Sequence, residues 1–170
     1  VKYLVDKAVK DGMKGMAITD HGVMYGIKEF ADYCAKINKS RKKNGEELFK
    51  PIFGCEMYVA KHHKEDRDKD EGDNTRYHLI VLAKNYQGYK NLIKLVSRSW
   101  TDGYYYKPRT DRYDLEQYRE GLIVSSACIG GEVPSKVLKG DIAGAREAVE
   151  WYHRIFGDDY YLEIQRHEVT

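Results

Sequence analysis

Apolar residues along this chain alternate between two rhythms. Contiguous, mostly apolar runs lie at 15–19, 51–59, 77–83, 121–128 and 160–165. Runs of this length, bounded by polar residues, Gly or Pro, predict buried strands. Between them, apolar residues recur every three or four positions. Leu4 and Ala8 do so within 1–12, as do Ile27, Phe30, Ala31, Cys34 and Ile37 within 23–38, and Tyr89, Leu92, Ile93 and Val96 within 85–97. That spacing places one apolar stripe on a helix. Further helices are expected near 111–119, 132–139 and 141–156. Gly12 ends the first helix, Asn85 caps the third, and Gly130-Gly131 break the fourth strand.

Three stretches follow neither rhythm. Residues 38–50 are basic and polar and read as a solvated loop. Residues 61–75 contain ten charged residues of fifteen and none that is apolar, the composition of a mobile surface loop. Residues 100–109 form a tyrosine-rich loop ending Tyr104-Tyr105-Tyr106-Lys107-Pro108-Arg109.

Strands alternating with helices imply the α/β class, a mostly parallel sheet with helices packed outside it. Five strands are too few to close an eight-stranded barrel, and 170 residues fall short of the roughly 200–250 that such a barrel takes. The expectation is a single domain over 1–170 forming an incomplete barrel. A start at Val1 inside a helical pattern and a stop at Thr170 just after a strand suggest a piece of something longer.

Composition narrows the partners. A hydrophobic content of 42% supplies a core, while 33% charged residues and a mean hydropathy of −0.70 point to a soluble protein. No apolar run approaches the roughly 18 residues of a membrane helix. No signal-peptide pattern argues for export, so a cytoplasmic location and no membrane partner are expected. A net charge of +2 gives no support to a basic coat for nucleic acid, and any such contact has to be local. Cys34, Cys55 and Cys128 are few, odd in number and widely spaced, which fits reduced thiols.

The chemistry gathers where strands stop. In Gly15-Met16-Ala17-Ile18-Thr19-Asp20-His21-Gly22, an apolar run ends in an acid, an imidazole and a glycine. Cys128 ends another strand, His78 opens one, and Glu56 interrupts an apolar one. Imidazole, carboxylate and thiolate are metal-ligand types, and a shared cation removes the cost of burying them. Each also has an ordinary role: a loop histidine, a strand-edge histidine, a solvent-facing glutamate, a small buried thiol. The spacing fits no compact metal motif. Lys107 and Arg109 suit a phosphate or a solvated loop. The tyrosines at 104–106 suit base stacking or packing at a rim. Asp20 can orient His21 or cap the next helix. His167 follows the last strand and can approach the cleft, whereas His62, His63 and His153 read as surface residues.

These residues carry a resemblance. Thr19-Asp20-His21-Gly22, Ile52-Phe53-Gly54-Cys55-Glu56, Tyr77-His78-Leu79 and Cys128-Ile129-Gly130-Gly131-Glu132-Val133-Pro134 occur in this order. They resemble the PHP (polymerase and histidinol phosphatase) domain at the start of bacterial replicative DNA polymerase III alpha subunits. Asn85-Tyr86-Gln87-Gly88-Tyr89-Lys90-Asn91-Leu92, Tyr105-Tyr106-Lys107-Pro108-Arg109 and the stretch from Phe156 to Gln165 resemble the same subunit. Free-standing phosphatases of the family lack these tracts.

The resemblance implies a distorted (β/α)7 barrel holding up to three divalent metal ions, zinc or manganese. It implies His21, Glu56, His78 and Cys128 as ligands, with the remaining ligands before Val1 and beyond Thr170. It implies a parent DNA-directed DNA polymerase acting in replication, with DNA and other replicase subunits as partners. The complete domain would be a metal-dependent phosphoesterase, a 3′–5′ proofreading exonuclease, and this piece alone would be inactive. Two alternatives are an inert scaffold docking a separate proofreading exonuclease and a stand-alone phosphatase. Retention of all four ligand residues motivates the active reading. One feature fits poorly: ligands belong at the carboxyl ends of barrel strands, and His78 begins its run.

Overall fold

The computed structural model describes residues 1–166. Its elements in order are α1 (Lys2–Lys10), β1 (Gly15–His21), α2 (Ile27–Lys43), β2 (Lys50–Ala60), β3 (Arg76–Ala83), α3 (Tyr86–Thr101), β4 (Tyr104–Tyr105), β5 (Lys107–Thr110), α4 (Arg112–Gln117), β6 (Leu122–Ser125), α5 (Glu132–Leu138), α6 (Ile142–Phe156), a 3₁₀ turn (Gly157–Asp159) and β7 (Tyr160–Tyr161).

β2 organises the sheet. Its first half pairs in parallel with β1, from Gly15 beside Lys50 to His21 beside Glu56. The same edge then passes to β5, with Tyr58 beside Arg109 and Val59 beside Thr110. Its other edge pairs antiparallel with β3, which carries β6 and then β7. The outermost strands of this path, β4 and β7, do not pair with each other among the described residues, so the sheet is an open mixed one there.

Two strands, β3 and β4, run against the others. This corrects the mostly parallel sheet anticipated above. A parallel return needs a crossover, usually a helix. The 61–75 link contains none, and β3 folds back along β2. Two further differences are local. Residues 38–43 continue α2 instead of forming a loop, because Asn-Lys-Ser-Arg-Lys-Lys contains no breaker, and the helix stops at Asn44 before Gly45, whose φ is +69°. The last strand spans only Tyr160–Tyr161, short of the run to Gln165. Asn85 caps α3 as anticipated, its side chain accepting from the Gly88 N–H at 2.9 Å.

The core has two parts. Met57, Val59, Leu79, Val81, Leu92, Leu95, Leu122, Val124 and Tyr152 pack the sheet against α3 and α6. Val5, Ala8, Phe30, Cys34 and Phe49 join α1 and α2 to the start of β2. At about 1.5–3 kcal/mol per fully buried apolar side chain, this packing fixes the strand ends on which the site is built.

The charged link 61–75 is not simply solvated. Lys64 and Asp73 are buried within it. The Lys64 ammonium lies 2.9 Å from Glu65, 3.3 Å from Asp114 and 3.8 Å from Asp111. The Asp73 carboxylate meets His62 Nδ1 at 3.0 Å and accepts from the Asp68 N–H at 2.8 Å. The link is held because its charges of opposite sign meet one another, a property that composition does not reveal. The His62 imidazole holds the Asp73 carboxyl below the usual range, and the Lys64 ammonium does the same for Glu65. A depressed carboxyl contributes stability above its unfolded value, near pH 4, and loses it as pH falls through the folded value. The protection factor of the Asp68 amide is therefore expected to fall below about pH 4 ahead of those of the sheet amides. Equal protection of both down to pH 2 would sink this account.

Candidate metal centre

β1 ends at His21, and the strand register puts it beside Glu56. The backbone then leaves the sheet at Gly22, whose N–H donates to the Glu56 carbonyl at 2.8 Å. His78 lies opposite Tyr58 on the antiparallel β3, diagonal to Glu56 and on the same face. The misfit of His78 is thereby resolved: the start of an antiparallel strand lies at the same rim as the carboxyl ends of β1 and β2. Cys128 follows β6 in a tight loop where Ala127 takes a φ of +59°. That loop is drawn to β3 by the His78 N–H, which donates to the Gly130 carbonyl at 2.9 Å.

Glu56 is the meeting point. Its Oε1 lies 3.1 Å from His21 Nδ1 and 3.0 Å from His78 Nδ1. His78 Nδ1 lies 3.4 Å from Cys128 Sγ, which also accepts from the Gly130 N–H at 3.4 Å. The four residues anticipated as ligands are thus brought together in a row, His21–Glu56–His78–Cys128. Glu56 is mostly buried, yet its Oε1 makes no hydrogen bond although two imidazole nitrogens approach it. A buried carboxylate oxygen without a donor is costly, and a cation among these donors removes that cost. The donor set, two imidazoles, a carboxylate and a thiol, fits a divalent transition metal.

The described residues in which three ligand-type atoms all lie within 4.8 Å of one another form a different group, His62, Asp66 and Asp73. Reading His62 as a plain surface residue missed it, because residues eleven apart in a structureless link give no periodic signal.

The other site residues separate. Asp20 serves the start of α2: its Oδ2 accepts from the Gly26 N–H at 2.7 Å. Lys107 is exposed, with Nζ 5.9 Å from the centre of the Tyr58 ring, and that ring packs edge-on to His78 at 5.4 Å. Lys107 is therefore free to meet a phosphate near the row.

Arg109 is not free to do so. It is fully buried, and its guanidinium donates to the carbonyls of Gly103 at 3.1 Å, Asp73 at 2.5 Å, Lys64 at 2.6 Å and Asp66 at 2.8 Å. The phosphate role anticipated for Arg109 gives way to anchoring the charged link. His167 lies outside the described residues.

Tyr58 and Trp100 were not singled out from the sequence. Trp100 Nε1 donates to the Gly22 carbonyl at 2.8 Å and fixes the turn after His21. Aromatic residues at the end of an apolar run carry no sequence mark that separates this role from core packing.

The three thiols differ sharply. Burial pushes the Cys55 thiol up to about 12, and it donates to the Asp20 carbonyl at 3.3 Å. Cys34 is buried and its thiol is raised for the same reason. Cys128 is partly exposed. In the folded protein, a thiol-reactive maleimide is expected to label Cys128 alone, and added zinc to slow that labelling. Labelling of Cys55 at a comparable rate would overturn this.

Fold and site together define an α/β protein with a candidate metal centre at one rim of its sheet. The chain belongs to the PHP domain family, whose profile matches residues 1–167. Similar proteins include the DNA polymerase III subunit alpha of Borreliella burgdorferi, 45% identical over 99% of this chain and 14% of the relative. The same subunit of Chlamydia pneumoniae is 38% identical over 100% of this chain and 13% of the relative. That of Deinococcus radiodurans is 40% identical over 89% and 11%. The chain thus spans only 11–14% of the length of these curated relatives. No helix among the described residues is long and apolar enough to cross a membrane.

Proposed function

We propose that this chain is part of the PHP domain of a replicative DNA polymerase alpha subunit. In the complete domain, completed as a barrel by further strands, the Glu56 rim is the centre of a metal-dependent phosphoesterase that trims the 3′ end of a DNA strand. The observation that carries this reading is the Glu56 Oε1 atom, approached by two imidazoles and bonded to neither.

His21, Glu56, His78 and Cys128 would hold zinc or manganese. Such an ion supplies activated water and charge stabilisation at phosphorus. The protein's own contribution is positional. Trp100 and Gly22 fix the end of β1, Tyr58 supports the His78 ring, and the Ser126–Gly131 loop carries Cys128 to the rim. Lys107 presents a point charge to a phosphate oxygen. DNA and the other replicase subunits are the partners that follow, a proofreading exonuclease subunit among them. The test is metal analysis of the full-length protein purified without chelator, with digestion of a 5′-labelled primer. Bound metal and a shortened primer are expected; no metal and an intact 3′ end would end the proposal.

A further inference from the structure

One face of the β2–β3 hairpin carries more than the ligand row. Residues paired across antiparallel strands project to the same face, and alternate residues along a strand share it. The pairs Tyr58–His78 and Ala60–Arg76 therefore put Arg76 on the face that bears Glu56 and His78. The opposite face holds Met57, Val59, Leu79 and Val81 in the core. Arg76 opens β3, two residues before His78, and is exposed.

A second cation reaches the same place from β5. Lys107 Nζ lies 5.9 Å from the centre of the Tyr58 ring, and that ring packs edge-on to His78. The Arg76 charge is felt at the same side chain: burial, then Glu56, push the Tyr58 hydroxyl up, and Arg76 opposes them. Tyr58 itself is buried. Its ring is thus a floor shared by His78, Lys107 and Arg76.

The fold makes little use of these two cations. The basic groups around them are engaged: Arg109 by four carbonyls, Lys64 by three carboxylates, Arg67 by the Glu65 and Asp102 carbonyls at 2.7 and 3.2 Å, and Lys61 by the Glu71 carbonyl at 3.0 Å. Arg76 donates only to the carbonyl of its near neighbour Asn74, at 3.2 Å. Among the described residues, neither Arg76 nor Lys107 meets a carboxylate. A guanidinium fork and an ammonium point charge are the groups that hold a phosphate. Position says which phosphate. Two residues along β3 carry Arg76 about 7 Å beyond His78, a step comparable with that between successive phosphates of an extended strand.

We propose that Arg76 and Lys107 clamp the phosphate immediately 5′ to the scissile one. The centre then takes a DNA end that carries a second phosphodiester, in preference to a substrate with one. Arg76 fills the role that the buried Arg109 cannot. The clamp deepens the function proposed above and rests on that reading for which phosphate is cleaved.

The test uses the full-length protein and two substrates. One is trithymidylate; the other is the same strand with an uncharged methylphosphonate at the linkage 5′ to the scissile bond. With manganese, the charged strand should be trimmed with a kcat/KM about ten- to 100-fold higher, the difference lying in KM. Arg76→Gln should shrink that ratio about ten-fold, and Lys107→Gln should shrink it in the same direction. Arg119→Gln, at an exposed arginine after α4, should keep the ratio of the wild type. A second readout needs no cleavage. In chelator, excess trithymidylate should slow phenylglyoxal labelling of Arg76, followed by mass spectrometry, more than the methylphosphonate strand does, while Arg119 labels at one rate throughout.

Equal KM for the two strands, or a ratio that Arg76→Gln keeps in full, overturns the clamp, as does labelling of Arg76 that neither strand slows. Cleavage of both strands and of a small single-phosphate diester, with no difference in KM, removes the clamp alone. Selective protection of Arg76 by the charged strand, with no substrate cleaved, removes the hydrolytic reading alone.

Discussion

Replacing Glu56 by glutamine is expected to remove metal from the rim and lower 3′-end trimming by at least about 100-fold, since loss of an outer-sphere partner alone costs up to that much. The argument rests on position. Glu56 is the group that both imidazoles approach, and its Oε1 has no hydrogen bond of its own. Glutamine keeps the shape and loses the charge that a cation needs. The substitution also has opposite effects on stability in two solutions. In chelator, the wild type keeps a mostly buried carboxylate whose Oε1 has no hydrogen bond, and Glu56→Gln should be neutral or more stable. With zinc or manganese added, the wild type gains the binding energy and the variant does not, so the order reverses. Thermal unfolding under both conditions, with metal analysis, checks this. An unchanged order, or a variant that retains stoichiometric metal, would show that the carboxylate is not a ligand.

Arg109→Met is expected to cost about 3–5 kcal/mol of folding stability, a large part of what a domain of this size has. The guanidinium satisfies four carbonyls from two parts of the chain: Gly103 before the β4–β5 hairpin, and Lys64, Asp66 and Asp73 in the charged link. Methionine fills much of the volume and leaves all four acceptors buried without this donor. Arg109→Lys should rescue little, because a single ammonium cannot reproduce the planar fork. The measurements are denaturant unfolding and protease cleavage within 61–75. Stability within about 1 kcal/mol of the wild type, with an uncut link, would falsify the anchoring role.

Much of the site was legible in the sequence because its residues break the pattern around them. Glu56 stands out in an apolar strand, and His21 and Cys128 mark places where apolar runs stop. What failed was direction. Apolar periodicity says where a strand is and not which way it runs. The missing helix between Ala60 and Arg76 was visible, and it is the physical reason that β3 reverses. The charge of residues 38–43 points to a loop, although charge alone does not break a helix. Arg109 escapes the pattern for a related reason. A basic residue in a polar, tyrosine-rich segment reads as solvent-facing, and its burial depends on carbonyls more than 30 residues away in sequence.

The reversal of β3 has a consequence for how such a chain tolerates change. Glu56 and His78 belong to one hairpin whose register is set by seven paired positions, from Gly54 beside Leu82 to Ala60 beside Arg76. The link between them is clamped at Lys64, Asp66 and Asp73 by Arg109, while Lys69, Asp70 and Glu71 stay exposed beyond the clamp. Residues gained or lost at 69–71 lengthen or shorten a loop tip without sliding one strand past the other. The chain thus has a place beside its candidate centre where length can drift over generations while the carboxylate and the imidazole keep their separation.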